Sequence, residues 1–164
     1  MADVDTPRDH FALLGLPLRF ELDPDTLAAR LADRTEAGLD AQVIEECRQV
    51  LGDPVRRAEC LLERLGLRQY NDPTIAPGGF RELISILHTK IAEADGGADK
   101  LAKVEQTLRA QKRAHTDRIA FLFRQLAGGD NPVVQRDRRR SLRAQINALK
   151  MLEELDALVT PRDE

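Results

Sequence analysis

The sequence predicts an all-α fold in two domains, and three observations carry that expectation. Apolar residues recur at spacings of three and four along every long segment, the mark of helices with one buried face. Asp-Pro, Asn-Pro and Gly punctuate those segments where helices start and stop. A Pro/Gly-rich break, Leu67 to Gly79, separates a cluster of short helices from much longer ones and sets domains at 1–70 and 71–164. Composition agrees. Of 164 residues, 32 % are charged and 42 % hydrophobic, with no Trp and one Tyr, as in a soluble helical protein able to bury a sizeable core.

Taken in order, residues 1–7 read as a loose tail. Asp9 to Gly15 form a short helix with Phe11 and Leu14 on one face, stopped by Gly15 and Pro17. Asp23-Pro24 opens a second helix, buried through Leu27 and Leu31, that runs out between Thr35 and Gly38. Asp40 caps a third, whose Val43, Ile44, Cys47, Val50 and Leu51 fit the helical template. Asp53-Pro54 starts a fourth, with Val55, Ala58, Leu61, Leu62 and Leu65 inward and Gly66 closing it in a left-handed turn. Its stripe is wide for three turns, which makes this helix the expected bracket between the two domains.

Beyond the break, a helix from Phe80 to Ala94 carries Leu83, Ile84, Leu87 and Ile91 on one face. After Gly96-Gly97, a helix over Lys100–Ala127 is lined by Leu101, Val104, Leu108, His115, Ile119, Leu122 and Leu126. Gly128-Gly129 turns the chain, and Asn131-Pro132 starts a last helix lined by Leu142, Ile146, Leu149, Leu152, Leu155 and Val159. Two helices of about 28 residues, each roughly 40 Å long, make an antiparallel hairpin whose seam the Phe80 helix covers.

The segment Asp9-His10-Phe11-Ala12-Leu13-Leu14-Gly15-Leu16-Pro17 resembles the opening helix of HscB-type J-domain co-chaperones, which serve iron–sulfur cluster assembly. Arg19-Phe20-Glu21-Leu22-Asp23 resembles the loop that follows it in that family. Asp53-Pro54-Val55-Arg56-Arg57-Ala58-Glu59-Cys60-Leu61-Leu62 resembles the family's Pro-x-x-Arg-Ala-Glu-x-Leu-Leu signature. The resemblance implies a J-domain-like helical cluster followed by a three-helix bundle for oligomerisation and scaffold binding. Its partners would be a DnaK/HscA-type chaperone and an IscU-type scaffold.

One departure is decisive for mechanism. In the family, a long antiparallel helix pair ends in His-Pro-Asp, the tripeptide that prompts the chaperone to hydrolyse ATP. Here that tip reads Thr35-Glu36-Ala37-Gly38-Leu39. Asp23-Pro24-Asp25 is no displaced copy, because it precedes the second helix and has a capping role. Each helix of the pair has about three turns, roughly 18 Å, so the tip and its adjoining turns are missing together. The basic face that would meet the chaperone is reduced to Arg30 and Arg34, offset by Asp33 and Glu36.

The resemblance also points to two scaffold contacts. Matching the family's Phe-Leu-Met-Glu-Gln-type segment without gaps puts Phe80, Leu87 and Ile91 in the core and Arg81, Glu82 and Ser85 on the binding face; a shift of one residue would instead expose Ile84. The second contact, in the last helix, reads Lys150-Met151-Leu152-Glu153-Glu154-Leu155, with Met151 in the place of an aromatic. Met suits an adaptable surface, but beside a core Leu its ordinary use is packing.

Arg136, Arg138, Arg139, Arg140 and Arg143 form the densest charge cluster. A solvated helix face is the plain reading. Cations near a helix N-terminus oppose the macrodipole, so an acidic partner is an alternative, and nucleic acid lacks interleaved aromatics to stack on. A net charge of −3 likewise argues against nucleic acid as a bulk partner.

Other chemistry is thin. His10, His88 and His115 are far apart, with no metal-ligand spacing, and His115 on its apolar stripe reads as a core histidine bonded to a neighbour. Cys47 and Cys60 are too few for a zinc site or disulfide framework and read as buried thiols. No phosphate loop, nucleophile elbow or His-Glu-x-x-His occurs, so neither catalysis nor a cofactor is expected. No apolar run reaches membrane-spanning length and Met1–Pro7 is polar, which makes the cytoplasm the expected location. The expected function is that of a non-enzymatic, HscB-like co-chaperone without the ATPase trigger. The alternatives are a helical adaptor or oligomerisation module and, third, an arginine-bearing nucleic-acid-binding bundle; the sequence leaves the oligomeric state open.

Overall fold

The structure is a computed structural model that describes residues 8–67, 71–128 and 131–160. The expected tail at 1–7, part of the Leu67–Gly79 linker and part of the Gly128-Gly129 turn lie outside those residues. Among the described residues there are seven helices and no strand: α1 (His10–Leu13), α2 (Pro24–Glu36), α3 (Ala41–Gly52), α4 (Pro54–Arg64), α5 (Phe80–Ala94), α6 (Ala98–Leu126) and α7 (Pro132–Val159). The chain divides into two compact units, Met1–Gln69 and Tyr70–Glu164.

In the first unit each helix is opened by a carboxylate. Asp9, Asp23, Asp40 and Asp53 each accept a bond from a backbone amide of the turn they precede, at 2.8–3.4 Å, and satisfy donors that the helix cannot. The closures of α2 and α4 are equally local. At the end of α2 the Leu39 amide reaches back to the Arg34 carbonyl (3.0 Å) and the Gly38 amide to that of Thr35 (3.1 Å). Gly38 takes φ +86°, which a side chain would resist. The same six-to-one closure at α4 joins the Leu67 amide to the Leu62 carbonyl at 2.8 Å, and both leucines are buried. Leu65 departs from the expected stripe: as the capping residue of α4 it turns outward and is 44 % exposed. Phe11, Leu14, Cys47 and Leu51 are buried, with α1 and α2 both packed on α3.

The second unit is a long α6–α7 hairpin with α5 packed on both helices. Phe80, Ile84 and Leu87 of α5 meet Val104 and Leu108 of α6 and Leu152 and Leu155 of α7 in one buried cluster. Helix α6 begins at Ala98, two residues before the expected start, because the turn ahead of it is tighter than the Gly pair alone suggests. Asp95 and Gly96 are left-handed (φ +44° and +75°), and the Gly97 amide donates to the Ala94 carbonyl at 2.7 Å. A Cβ on Gly97 would lie 2.9 Å from that carbonyl oxygen, so the turn has no room for a side chain. Gly97→Ala should therefore destabilise the protein by about 1–3 kcal/mol in urea unfolding, and an unchanged midpoint would show that the turn yields freely.

Candidate partner-binding surfaces

Arg57, the signature arginine after Pro54, is only 8 % exposed. Its Nε donates to the Phe20 carbonyl at 2.7 Å and its Nη1 to the Leu51 carbonyl at 2.6 Å. Its guanidinium carbon sits 4.9 Å from the centre of the Phe20 ring. One planar cation thus ties the loop before α2 to the end of α3 from a position on α4, with a cation–π contact added. Burial lowers its pKa, and Asp53 pulls the other way. The two stretches that carry the family resemblance, around Phe20 and around Arg57, are therefore two sides of one structural joint.

Between α2 and α3 only Ala37 to Asp40 remain, and they hold neither His nor Pro. His10, His88 and His115 lie on α1, α5 and α6, and the sequence contains no His-Pro-Asp tripeptide. Arg30 and Arg34 are exposed, as a chaperone-facing role would require. They nevertheless lie over the end of α1: a Cβ on Gly15 would be 3.4 Å from Arg34 Nη2 and 3.9 Å from Arg30 Nη1.

On α5, Ile84 is 8 % exposed beside Phe80 and Leu87, while Glu82 and Ser85 are exposed. Arg81 is tied down: its Nη2 donates to the Thr74 carbonyl at 2.6 Å, bracing the loop before α5. Asn147 of α7 grips the same loop through the carbonyls of Asp72 and Ile75, at 2.8 and 2.9 Å. Ile86, 53 % exposed, is the large apolar side chain that this face presents, and the periodicity gave it no special weight. Met151 is half-buried against the bundle cluster, in keeping with packing.

The arginine cluster is not a continuous solvent face. Arg143 is 1 % exposed and Arg138 and Arg139 are half-buried, and all three already engage partners in the fold. Arg138 Nη1 also donates to the Gln125 carbonyl at 3.3 Å. Arg136 and Arg140 are the exposed remainder, so the five residues do not form one patch for a nucleic acid. His115 bonds Gln145 Oε1 through Nδ1 (2.5 Å) and meets Phe80 edge-on, as its place on the stripe predicts. Among the described residues no group of three His, Cys, Asp or Glu side chains could hold a metal, and no helix is long and apolar enough to cross a membrane.

The chain is similar to known proteins in sequence and in fold. The chain is 32 % identical over 155 residues to the co-chaperone protein HscB homolog of Ralstonia nicotianae, an alignment covering 81 % of this chain and 85 % of that relative. It belongs to the HscB co-chaperone family. The fold is that of HscB as well. The chaperone HscB from Vibrio cholerae superposes with a TM-score of 0.68 at 24 % identity, covering 93 % of this chain and 95 % of that one. Human co-chaperone protein HscB gives 0.72 at 17 % identity, covering 94 % and 82 %. No family model matches the chain.

In this HscB-family chain Cys47 is buried, whereas Cys60 and His10 are half-buried against each other. His10 Nδ1 is 3.9 Å from Cys60 Sγ, and burial pushes the Cys47 and Cys60 thiols up, keeping them protonated. Burial, the largest cause, lowers the pKa of His10 from 6.5, with Glu46 opposing. A histidine kept neutral in the fold binds its proton more readily once unfolded. Its contribution is therefore whole above about pH 6.5 and is lost as pH falls from there toward the folded value.

Two outcomes are expected. The melting temperature should fall between about pH 7.5 and 5.5, less steeply for His10→Gln, and identical slopes would remove His10 as the cause. Arg57→Ala, which orphans two carbonyls, should cost about 3 kcal/mol or more in urea unfolding. Arg57→Lys should recover only part of it, since an ammonium lacks the planar fork.

Proposed function

We propose that this chain is a non-enzymatic co-chaperone-like protein that binds a scaffold or client in iron–sulfur cluster assembly without triggering ATP hydrolysis by a DnaK/HscA-type chaperone. Residues 1–70 act as a shortened J-domain-like scaffold and residues 71–164 as the partner-binding bundle, in the cytoplasm. The observation that carries this reading is the four-residue connection between α2 and α3, closed on Gly38 and lacking His-Pro-Asp.

Family membership supports the pathway, and the missing tripeptide supports the loss of the trigger. Arg30 and Arg34 remain exposed, so a chaperone could still touch the α2 face without being switched. The scaffold contact is remodelled. Arg81 braces a loop, Met151 packs on the core, and Glu82 and Ser85 offer a polar surface beside Ile86. A helical adaptor that has left the chaperone pathway is the second reading, favoured by this loss of apolar contact area.

A chaperone ATPase assay with and without the protein tests the mechanism. The turnover rate is expected to stay at its basal value, and clear stimulation would overturn the reading while leaving the family intact. Recovery of a scaffold or chaperone in a pull-down from the native extract is expected, and recovery of neither favours the adaptor.

A further inference from the structure

The bundle holds a feature that periodicity did not single out. Lys90 and Glu93 on the last turns of α5 face Lys100, Lys103, Val104 and Thr107 on the first turns of α6 across an open groove of about 220 Å³. The tight turn at Asp95 to Gly97 brings the two sets together, and the lack of space for a Cβ at Gly97 keeps them close. Three cations and one carboxylate line the space in a chain whose net charge is −3. Lys100 stands in the first turn of α6, where a cation opposes the helix dipole, so helix stability does not account for it. The floor is Val104, buried to 4 %, and Ile86, one turn before Lys90 on α5, is 53 % exposed.

We propose that this groove between α5 and α6 is a docking site for an acidic segment of a partner protein, with Asp or Glu side chains meeting Lys90, Lys100 and Lys103 and an apolar side chain reaching toward Val104. Charge complementarity names the occupant: the groove is locally cationic within an anionic chain, and two anionic surfaces would otherwise repel. A nucleic acid fits less well, because no aromatic lines the groove for a base to stack on and Glu93 faces the phosphates. The volume suits one or two side chains rather than a folded ligand. The site rests on the reading that the bundle binds a protein partner, and it adds the chemistry of that partner.

The test titrates the full chain, labelled for amide NMR, with a short Glu/Asp-rich peptide carrying one leucine. Shifts are expected at Lys90, Lys100, Lys103, Val104 and Thr107, with binding that weakens as salt rises, as exposed ion pairs require. The charge-reversal variant Lys90→Glu/Lys100→Glu/Lys103→Glu should keep its fold by circular dichroism and lose about tenfold or more in affinity. Lys90→Ala alone should give a smaller loss and serves if the triple variant unfolds. Equal binding by either folded variant, shifts that map elsewhere, or tighter binding of a single-stranded RNA oligonucleotide in the same groove would overturn the proposal. None of these results depends on the chaperone ATPase assay, so either reading can fail alone.

Discussion

Arg57 is the constraint on which the first unit hangs. Three backbone segments meet at its guanidinium: the Phe20 loop, distant in sequence, and the neighbouring end of α3 and α4 itself. A buried cation is tolerable there because two carbonyls and an aromatic face replace its water. Lysine could not do the same, since a single ammonium lacks the planar fork that addresses two acceptors at fixed angles. The joint therefore explains why an arginine occupies this position, where burial lowers its pKa and Asp53 opposes that shift.

With that joint in place, the α2–α3 pair does not need the length that a signalling tip would add. Leu27 and Leu31 are buried on α2, Ile44, Cys47 and Leu51 on α3, and each lies within the short helices that remain. The connection ends in a closed glycine turn followed at once by the Asp40 cap, so every orphan backbone group at the junction that the turn and cap can reach is satisfied. Residues that carry the kinship hold the helices together, and the sequence contains no His-Pro-Asp tripeptide.

Helix starts and stops were legible because they are written locally. An Asp two or three residues ahead of an amide, a Pro at the first turn and a Gly beyond the last need no knowledge of distant neighbours. Periodicity likewise placed Ile84 and Leu87 on an inward face. What stayed hidden depends on contacts between elements and on where a helix stops following its period. Arg57 and Arg143 are buried although arginine is ordinarily a surface residue. Arg81, which the resemblance puts on the binding face, donates to the Thr74 carbonyl. Leu65 fell on the stripe by spacing and turned out, because a helix cap no longer follows the helical period. The lysine groove depends on which faces α5 and α6 share, which the Gly97 turn decides.

Native-state amide hydrogen exchange across α2 and α3, compared with the Arg57→Ala chain, tests the central claim most directly. If the shortened pair is a finished unit pinned by Arg57, the Leu39 and Gly38 amides are protected in the parent and lose protection together with α2 and α3 in the variant. Free-peptide exchange at Leu39 in the parent, or unchanged protection without the guanidinium, would contradict the account.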